Sequence, residues 1–236
     1  MHNEVRILFE DNFFAVVLKN CGNNSQVFFK KAFSEKKYAE AVNRLDKPVS
    51  GLVLIAFSPA IHTKLNNLFK EKKVEKEYWA ICKKIEELKS AADSKIGDTT
   101  PALYKKEFCE NYLEFNTKIQ KAFVTESRQR GKKASLYWQL AGIGDNYNFL
   151  RIFPETGRTH QIRIQLSHLG MPIKGDIKYG FERTEKSGGI RLHAHSLKFE
   201  HPESKKRIEI SALPPSPDTL WSACIEACLK AKELEE

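Results

Sequence analysis

Asp46 sits in the segment Asn43-Arg44-Leu45-Asp46-Lys47-Pro48-Val49-Ser50-Gly51. An arginine lies two positions before it, and a Ser-Gly pair follows four and five positions after. The apolar run over residues 52–57 comes next and predicts a buried strand. A carboxylate beside a core strand is either held by partners or kept for chemistry, because an unpaired buried charge is costly. Read by itself, an Asp before Lys-Pro is an ordinary turn residue. A second segment changes that weighing: Glu155-Thr156-Gly157-Arg158-Thr159-His160-Gln161-Ile162-Arg163-Ile164-Gln165-Leu166-Ser167-His168-Leu169-Gly170. Thr159 is placed as a helix N-cap and Gly170 as its stop. Ile162, Leu166 and Leu169 then share an apolar face. Arg163 lies beside that face, where a guanidinium needs an anion, and Asp46 is the candidate. The alternative is an amphipathic helix with solvated arginines. A metal-dependent hydrolase built on His193, His195, His160 or His168 is a further reading. His193 and His195 share one face of a strand, but no carboxylate cluster at ligand spacing accompanies them.

Two more segments complete a pattern. One is Lys76-Glu77-Tyr78-Trp79-Ala80. The other is Arg191-Leu192-His193-Ala194-His195-Ser196-Leu197-Lys198-Phe199-Glu200-His201-Pro202. The chain resembles the RluA-type family of RNA pseudouridine synthases. That family's motifs are His-Arg-Leu-Asp followed by Ser-Gly, Lys-x-Tyr-x-Ala, Gly-Arg-Thr/Ser-His-Gln-Ile/Leu-Arg followed by a stretch like residues 168–176, and a segment like residues 191–202. The four matches come in the family's order, and the likeness runs from about residue 7 to about 213. Asn43 stands where the family usually has His, and Lys47-Pro48-Val49 replaces a more usual Arg-Asp-Thr. Lys19-Asn20-Cys21-Gly22 replaces a Lys-Pro-x-Gly pattern. These departures mark a divergent branch and bear on substrate choice. Asp46, Tyr78 and Arg163 are intact.

The resemblance implies isomerisation of uridine to pseudouridine within rRNA or tRNA. The uracil leaves C1′ of its ribose, rotates and rejoins through C5. Atoms and electrons balance without an imported group, so neither cofactor nor metal is expected. An ionised Asp46 could attack covalently or remove the C2′ proton. By the same resemblance Arg163 pairs with Asp46, and Tyr78 stacks on the flipped base. Arg44 contacts RNA near that nucleotide, Leu192 lines the base pocket, and Arg158 joins the RNA contacts. Without the resemblance, Tyr78 is a half-buried strand tyrosine, Arg44 a surface charge and Leu192 a core leucine. The rival reading is a non-catalytic RNA-binding or RNA-chaperone protein on the same fold; an intact Asp46, Tyr78 and Arg163 speak against it.

Composition agrees with an RNA partner. The 236 residues carry 39 Lys and Arg against 30 Asp and Glu, a formal charge of +9. Such an excess suits a polyanion. It is densest in Arg128-Gln129-Arg130-Gly131-Lys132-Lys133 and in Lys205-Lys206-Arg207. The first cluster is expected as an exposed loop between two strands, with Arg128, Arg130, Lys132 and Lys133 as phosphate contacts. Five scattered cysteines without a C-x-x-C pair fit a reduced, cytoplasmic setting. No apolar run reaches membrane-spanning length, and no obligatory protein partner is evident.

The elements that must hold these residues follow from periodicity. A hairpin is expected over residues 7–18, turning at Glu10-Asp11-Asn12. With strands beginning so early, one catalytic domain over 1–236 is expected, without a separate N-terminal RNA-binding domain. Ser58 and Pro59 predict a helix start, and Ile61, Leu65, Leu68 and Phe69 give that helix its apolar face. Residues 74–82 alternate as a strand, with Tyr78 and Trp79 on opposite sides. Residues 90–101 read as a loop. Residues 137–140 and 149–153 read as a hairpin turning over 142–146. A strand near 208–210 and a helix from Asp218 close the chain. That helix is expected to bury Leu220, Trp221, Cys224, Ile225, Cys228 and Leu229. The mixture predicts an α+β fold. The resemblance specifies it further as a bent, largely antiparallel mixed β-sheet with flanking helices and a central active-site cleft.

Overall fold

A computed structural model describes residues 5–22, 29, 32–84 and 102–235. The loop expected over 90–101 lies outside the described residues. The fold is α+β, with a mixed sheet. It divides into two compact units, the first comprising 1–77, 187–189 and 193–216, the second 78–186, 190–192 and 217–236.

The first unit opens with the expected hairpin, β1 (Arg6–Glu10) and β2 (Phe14–Lys19). Asp11 sets its turn by accepting from the Phe13 and Phe14 N–H groups. β2 pairs antiparallel with β4 (Ser50–Ala56), every residue of which is buried. That continuous burial explains why β4 reads as an unbroken apolar run. β3 (Glu40–Ala41) pairs with the C-terminal end of β4. β10 (Leu192–Glu200) runs parallel to β4 through His193 and Ala194, and antiparallel to β11 (Arg207–Ser211). α1 (Pro59–Lys70) begins as expected: Ser58 Oγ accepts from the Ile61 N–H, and Pro59 occupies the first turn. Ile61 and Leu65 carry α1 into a core with Phe14, Leu52, Leu54, Leu197 and Phe199.

The second unit is an antiparallel sheet in the order β5-β9-β8-β6-β7. Its strands are β5 (Glu75–Lys83), β6 (Lys106–Asn116), β7 (Lys121–Thr125), β8 (Lys132–Ile143) and β9 (Tyr147–Pro154). The β8–β9 hairpin is the expected one, with a register shift between Leu140 and Gly142. The basic cluster is less simple than a loop between paired strands. β6 lies between β7 and β8, so residues 126–131 must cross it. Lys132 and Lys133 are the first residues of β8 rather than loop residues.

α2 (Gln161–His168) follows β9. Its N-cap is His160, not Thr159, and His160 adopts a left-handed backbone with φ 57°. The His160 ring bonds Tyr179 and packs on Phe115, and that tertiary anchoring overrides capping preference. Gly170 stops the helix as expected, with φ 82° and the Met171 N–H reaching the Leu166 carbonyl. α3 (Thr219–Glu233) is capped by Asp218, whose Oδ1 accepts from the Trp221 N–H. It buries Trp221, Cys224, Cys228 and Ala231 against Trp79, Ile81 and Phe149. Leu229 is 42% exposed, and Leu220 and Ile225 are half-buried. Cys224 and Cys228 are core thiols with Sγ atoms 4.0 Å apart. Among the described residues no helix is long and apolar enough to cross a membrane.

Candidate active site

In the first unit, Asp46 stands half-buried at the start of a tight turn closed by the Val49 N–H and the Asp46 carbonyl, 3.0 Å apart. Lys47 and Pro48 form its centre, which accounts for the bland appearance of the segment. The turn is pinned from three sides. Asn43 donates from Nδ2 to the Leu52 carbonyl at 3.1 Å and accepts from the Leu54 N–H at 2.7 Å. Its amide therefore binds the residues before Asp46 to β4. Ser50 Oγ bonds His193 Nδ1 at 2.9 Å, and Gly51 passes so close to β10 that a Cβ would lie 2.4 Å from the Ala194 backbone nitrogen. Only glycine fits there, and its φ of 128° is also one that other residues avoid. The Ser-Gly pair of the motif thus fixes the far end of the turn.

The third anchor is Lys19, at the inner end of β2 and fully buried. Its ammonium donates to the Val49 carbonyl at 2.6 Å and reaches those of Asn20, Lys47 and Asp46 at 3.1, 3.3 and 3.4 Å. Burial pulls its pKa down to about 8, against the opposing charges of Cys21 and Asp46. Three of the four carbonyls belong to the turn that carries Asp46. Sequence reading assigned Lys19 no role. The available signal was a lysine directly following a continuous apolar run.

Arg44 is exposed, two residues before Asp46. His193 is fully buried, and burial pulls its imidazole down to about 3, so it is neutral. Nε2 of His193 and Nδ1 of His195 both lie against the Ala212 carbonyl, at 2.9 and 2.8 Å. A carbonyl only accepts, so both nitrogens carry hydrogen. Ser50 occupies the other nitrogen of His193. That donor set is built for hydrogen bonds, not for a cation. Among the described residues, no group of three or more His, Cys, Asp or Glu side chains could hold a metal.

In the second unit, Tyr78 is half-buried on β5, facing the side opposite the buried Trp79. Leu192 is buried. Arg163 lies in the first half of α2 and is 5% exposed. It forms a fork with the buried Asp176, Nε to Oδ2 at 2.7 Å and Nη2 to Oδ1 at 2.8 Å. Its face lies 5.0 Å from the centroid of Tyr179. Two parallel charged hydrogen bonds and a ring below hold the planar group in one orientation. Asp176 is thus one anion that Arg163 holds, a partner in the same long motif to which sequence reading assigned no role. Arg158 is exposed, and its Nε donates to the Lys133 carbonyl at 3.0 Å. The fold thereby gathers Arg158 with Lys132, Lys133, Arg128 and Arg130 at one end of β6 and β8.

The chain is similar to known proteins over most of its length. Residues 19–168 match the RNA pseudouridylate synthase family. A tRNA pseudouridine synthase C of Haemophilus ducreyi is 33% identical over 186 residues, covering 73% of this chain and 71% of its own. A ribosomal large subunit pseudouridine synthase C of Buchnera aphidicola is 29% identical over 224 residues, covering 88% of this chain and 66% of its own. The human RNA pseudouridylate synthase domain containing 1 shares the fold, with a TM-score of 0.68 at 24% identity over 93% of this chain and 87% of that one. The chain belongs to the RNA pseudouridylate synthase family and is an RNA pseudouridine synthase, an isomerase.

Proposed function

We propose that the chain isomerises uridines in ribosomal or transfer RNA with Asp46 as the catalytic carboxylate. One observation carries this reading: Asp46 rides on a turn held by Lys19, Asn43 and the Ser50–Gly51 contacts to β10. An ordinary turn aspartate needs no such frame. A carboxylate that must meet C1′ or the C2′ proton at bonding distance does. Relatives named for rRNA and for tRNA substrates support both classes of RNA.

Tyr78 is assigned the face on which the flipped uracil stacks, replacing the neighbours it leaves in the RNA. Arg163 is assigned to pair with Asp46, with Asp176 fixing the guanidinium plane. Arg44 serves the phosphate beside the target, and Leu192 the edge of the base. Arg128, Arg130, Lys132, Lys133 and Arg158 serve flanking phosphates. The family match over 19–168 runs through both units, which supports treating them as one catalytic domain. Five thiols and no disulfide suit a reducing compartment, the cytoplasm.

The test is a map of pseudouridine in total RNA from cells carrying wild type or only Asp46→Asn. Loss of defined sites in the variant, with the protein folded and present, is the expected result. An unchanged map would remove Asp46 from catalysis.

A further inference from the structure

Alternation along β6 divides its side chains into two sets. Cys109 and Leu113 are buried, on the side where Gln165 of α2 reaches Cys109 and Asn111. Phe108, Glu110, Tyr112 and Glu114 point the other way. On that second side Phe108 stands directly across from Tyr137 of β8, and Tyr137 across from Phe153 of β9. Three adjacent strands therefore present one row of aromatic rings. Phe108 is 51% exposed and Tyr137 40%, with ring centroids 5.0 Å apart. α3 covers the same side only up to Gln139, which bonds Glu235 beyond the helix end. Phe123, 41% exposed, extends the surface onto β7.

Cations frame the row. Lys106 Nζ lies 4.7 Å from the Phe153 centroid, and Arg128 lies 5.6 Å from Tyr112. Lys121 lies 5.7 Å from Phe123, and Lys133 stands across from Tyr112. The acids of this surface, Glu110, Glu114 and Glu235, are partly exposed members of ion pairs with Lys133, Arg130 and Lys106. Such pairs contribute little and exchange readily for phosphate. Neighbouring strands with exposed rings and surrounding cations are the features by which sheets hold unpaired bases.

We propose that this face of β6 and β8 is a second RNA-contact surface, on which unpaired bases of the substrate stack against Phe108 and Tyr137 while Lys106, Arg128 and Lys133 take their phosphates. It lies on the side of its sheet away from α2, which carries Arg163. It rests on the reading of the chain as an enzyme of RNA. It would let the enzyme grip single-stranded sequence flanking the target without entering the chemistry.

The probe is a 4-thiouridine-containing uridine 12-mer, photocrosslinked to the full chain and mapped by peptide mass. Crosslinks on the peptides of Phe108 or Tyr137 are expected. Affinity for the same 12-mer should fall about tenfold in Phe108→Ala/Tyr137→Ala. Phe108→Tyr, which keeps the ring, should bind as wild type does. Asp46→Asn should also bind normally while forming no pseudouridine. Absence of those crosslinks, together with unchanged affinity in the double variant, would overturn the surface while leaving catalysis intact. A chain that forms no pseudouridine in any cellular RNA would instead undo the underlying reading. Sedimentation as a dimer that the double variant converts to monomer would assign the face to self-association and overturn the proposal.

Discussion

Replacing Lys19 by methionine separates two effects of similar size. The ammonium makes charged hydrogen bonds to the turn, the closest at 2.6 Å to Val49. Each such bond stabilises by about 1.5–3 kcal/mol. Against this stands the burial of a charge. A pKa held at about 8 rather than its ordinary 10.5 corresponds to roughly 3 kcal/mol of disfavour for the charged form. Methionine fills the same volume and removes both terms. The Asp46 and Lys47 carbonyls keep the Val49 and Gly22 N–H groups as partners. Global stability should therefore move by only about 1–2 kcal/mol, a few degrees in melting temperature. The turn itself loses its central tether. A displacement of Asp46 by about 1 Å is enough to lower the rate by about 100-fold. Lys19→Met should thus fold, bind RNA and turn over poorly.

The pH dependence sharpens the test. Because the folded pKa lies below the unfolded one, the unfolded chain binds more protons between about 8 and 10.5. Through that window this group makes the native state more stable as pH rises, while the ammonium that ties the turn is lost. Wild-type turnover should fall above about pH 8 without a matching fall in thermal stability. Single-turnover pseudouridine formation from pH 6.5 to 9.5, with a melting curve at each pH, measures both. In Lys19→Met this limb should be missing from the low residual rate. Wild-type turnover in Lys19→Met, or an alkaline limb identical in the two proteins, would refute the reasoning.

Two further outcomes follow from the second unit. Arg163→Ala leaves Asp176, 2% exposed, without its fork, and should cost about 3–5 kcal/mol in denaturant unfolding. Arg163→Met/Asp176→Leu should recover much of that stability but none of the activity. Neutralising Arg128, Arg130, Lys132, Lys133 and Arg158 to glutamine should flatten the salt dependence of RNA binding, by about 0.7–0.9 in log–log slope for each phosphate no longer neutralised. An unchanged slope would take that cluster out of the interface.

What the sequence disclosed and what it hid divide along a physical line. The elements legible in advance were those fixed by near neighbours. The β1–β2 turn follows from Asp11, the start of α1 from Ser58-Pro59, and the start of α3 from Asp218. Asp46, Tyr78 and Arg163 were legible as motif members, not from their surroundings. The missed features all depend on residues distant in the chain. Thr159 has the chemistry of an N-cap, yet the Tyr179 hydroxyl and Phe115 ring hold His160 in that place. The basic cluster has the composition of a hairpin tip, yet β6, already passed in the chain, pairs between its two flanking strands. Local preference cannot report a partner that arrives from elsewhere.

The same distinction explains the departures at Asn43 and at Lys47-Pro48-Val49. Read as motif positions they look like losses. In the fold, Asn43 uses both ends of its amide on β4, a donor and an acceptor set on backbone groups of Leu52 and Leu54. A histidine offers the same pair of functions from its two ring nitrogens, so the substitution keeps the chemistry of the anchor while changing its shape. Pro48 fixes one backbone angle of the turn, reducing the freedom that Lys19 must restrain. The turn depends on the backbone carbonyls of Lys47 and Val49 and on the proline ring, not on the Lys47 ammonium. On the proposed reading this branch of the family keeps a carboxylate on a tethered turn and varies the exposed surface at Lys47 and Arg44. Substrate choice should accordingly respond to Lys47 and Arg44, and turnover to Lys19 and Asn43.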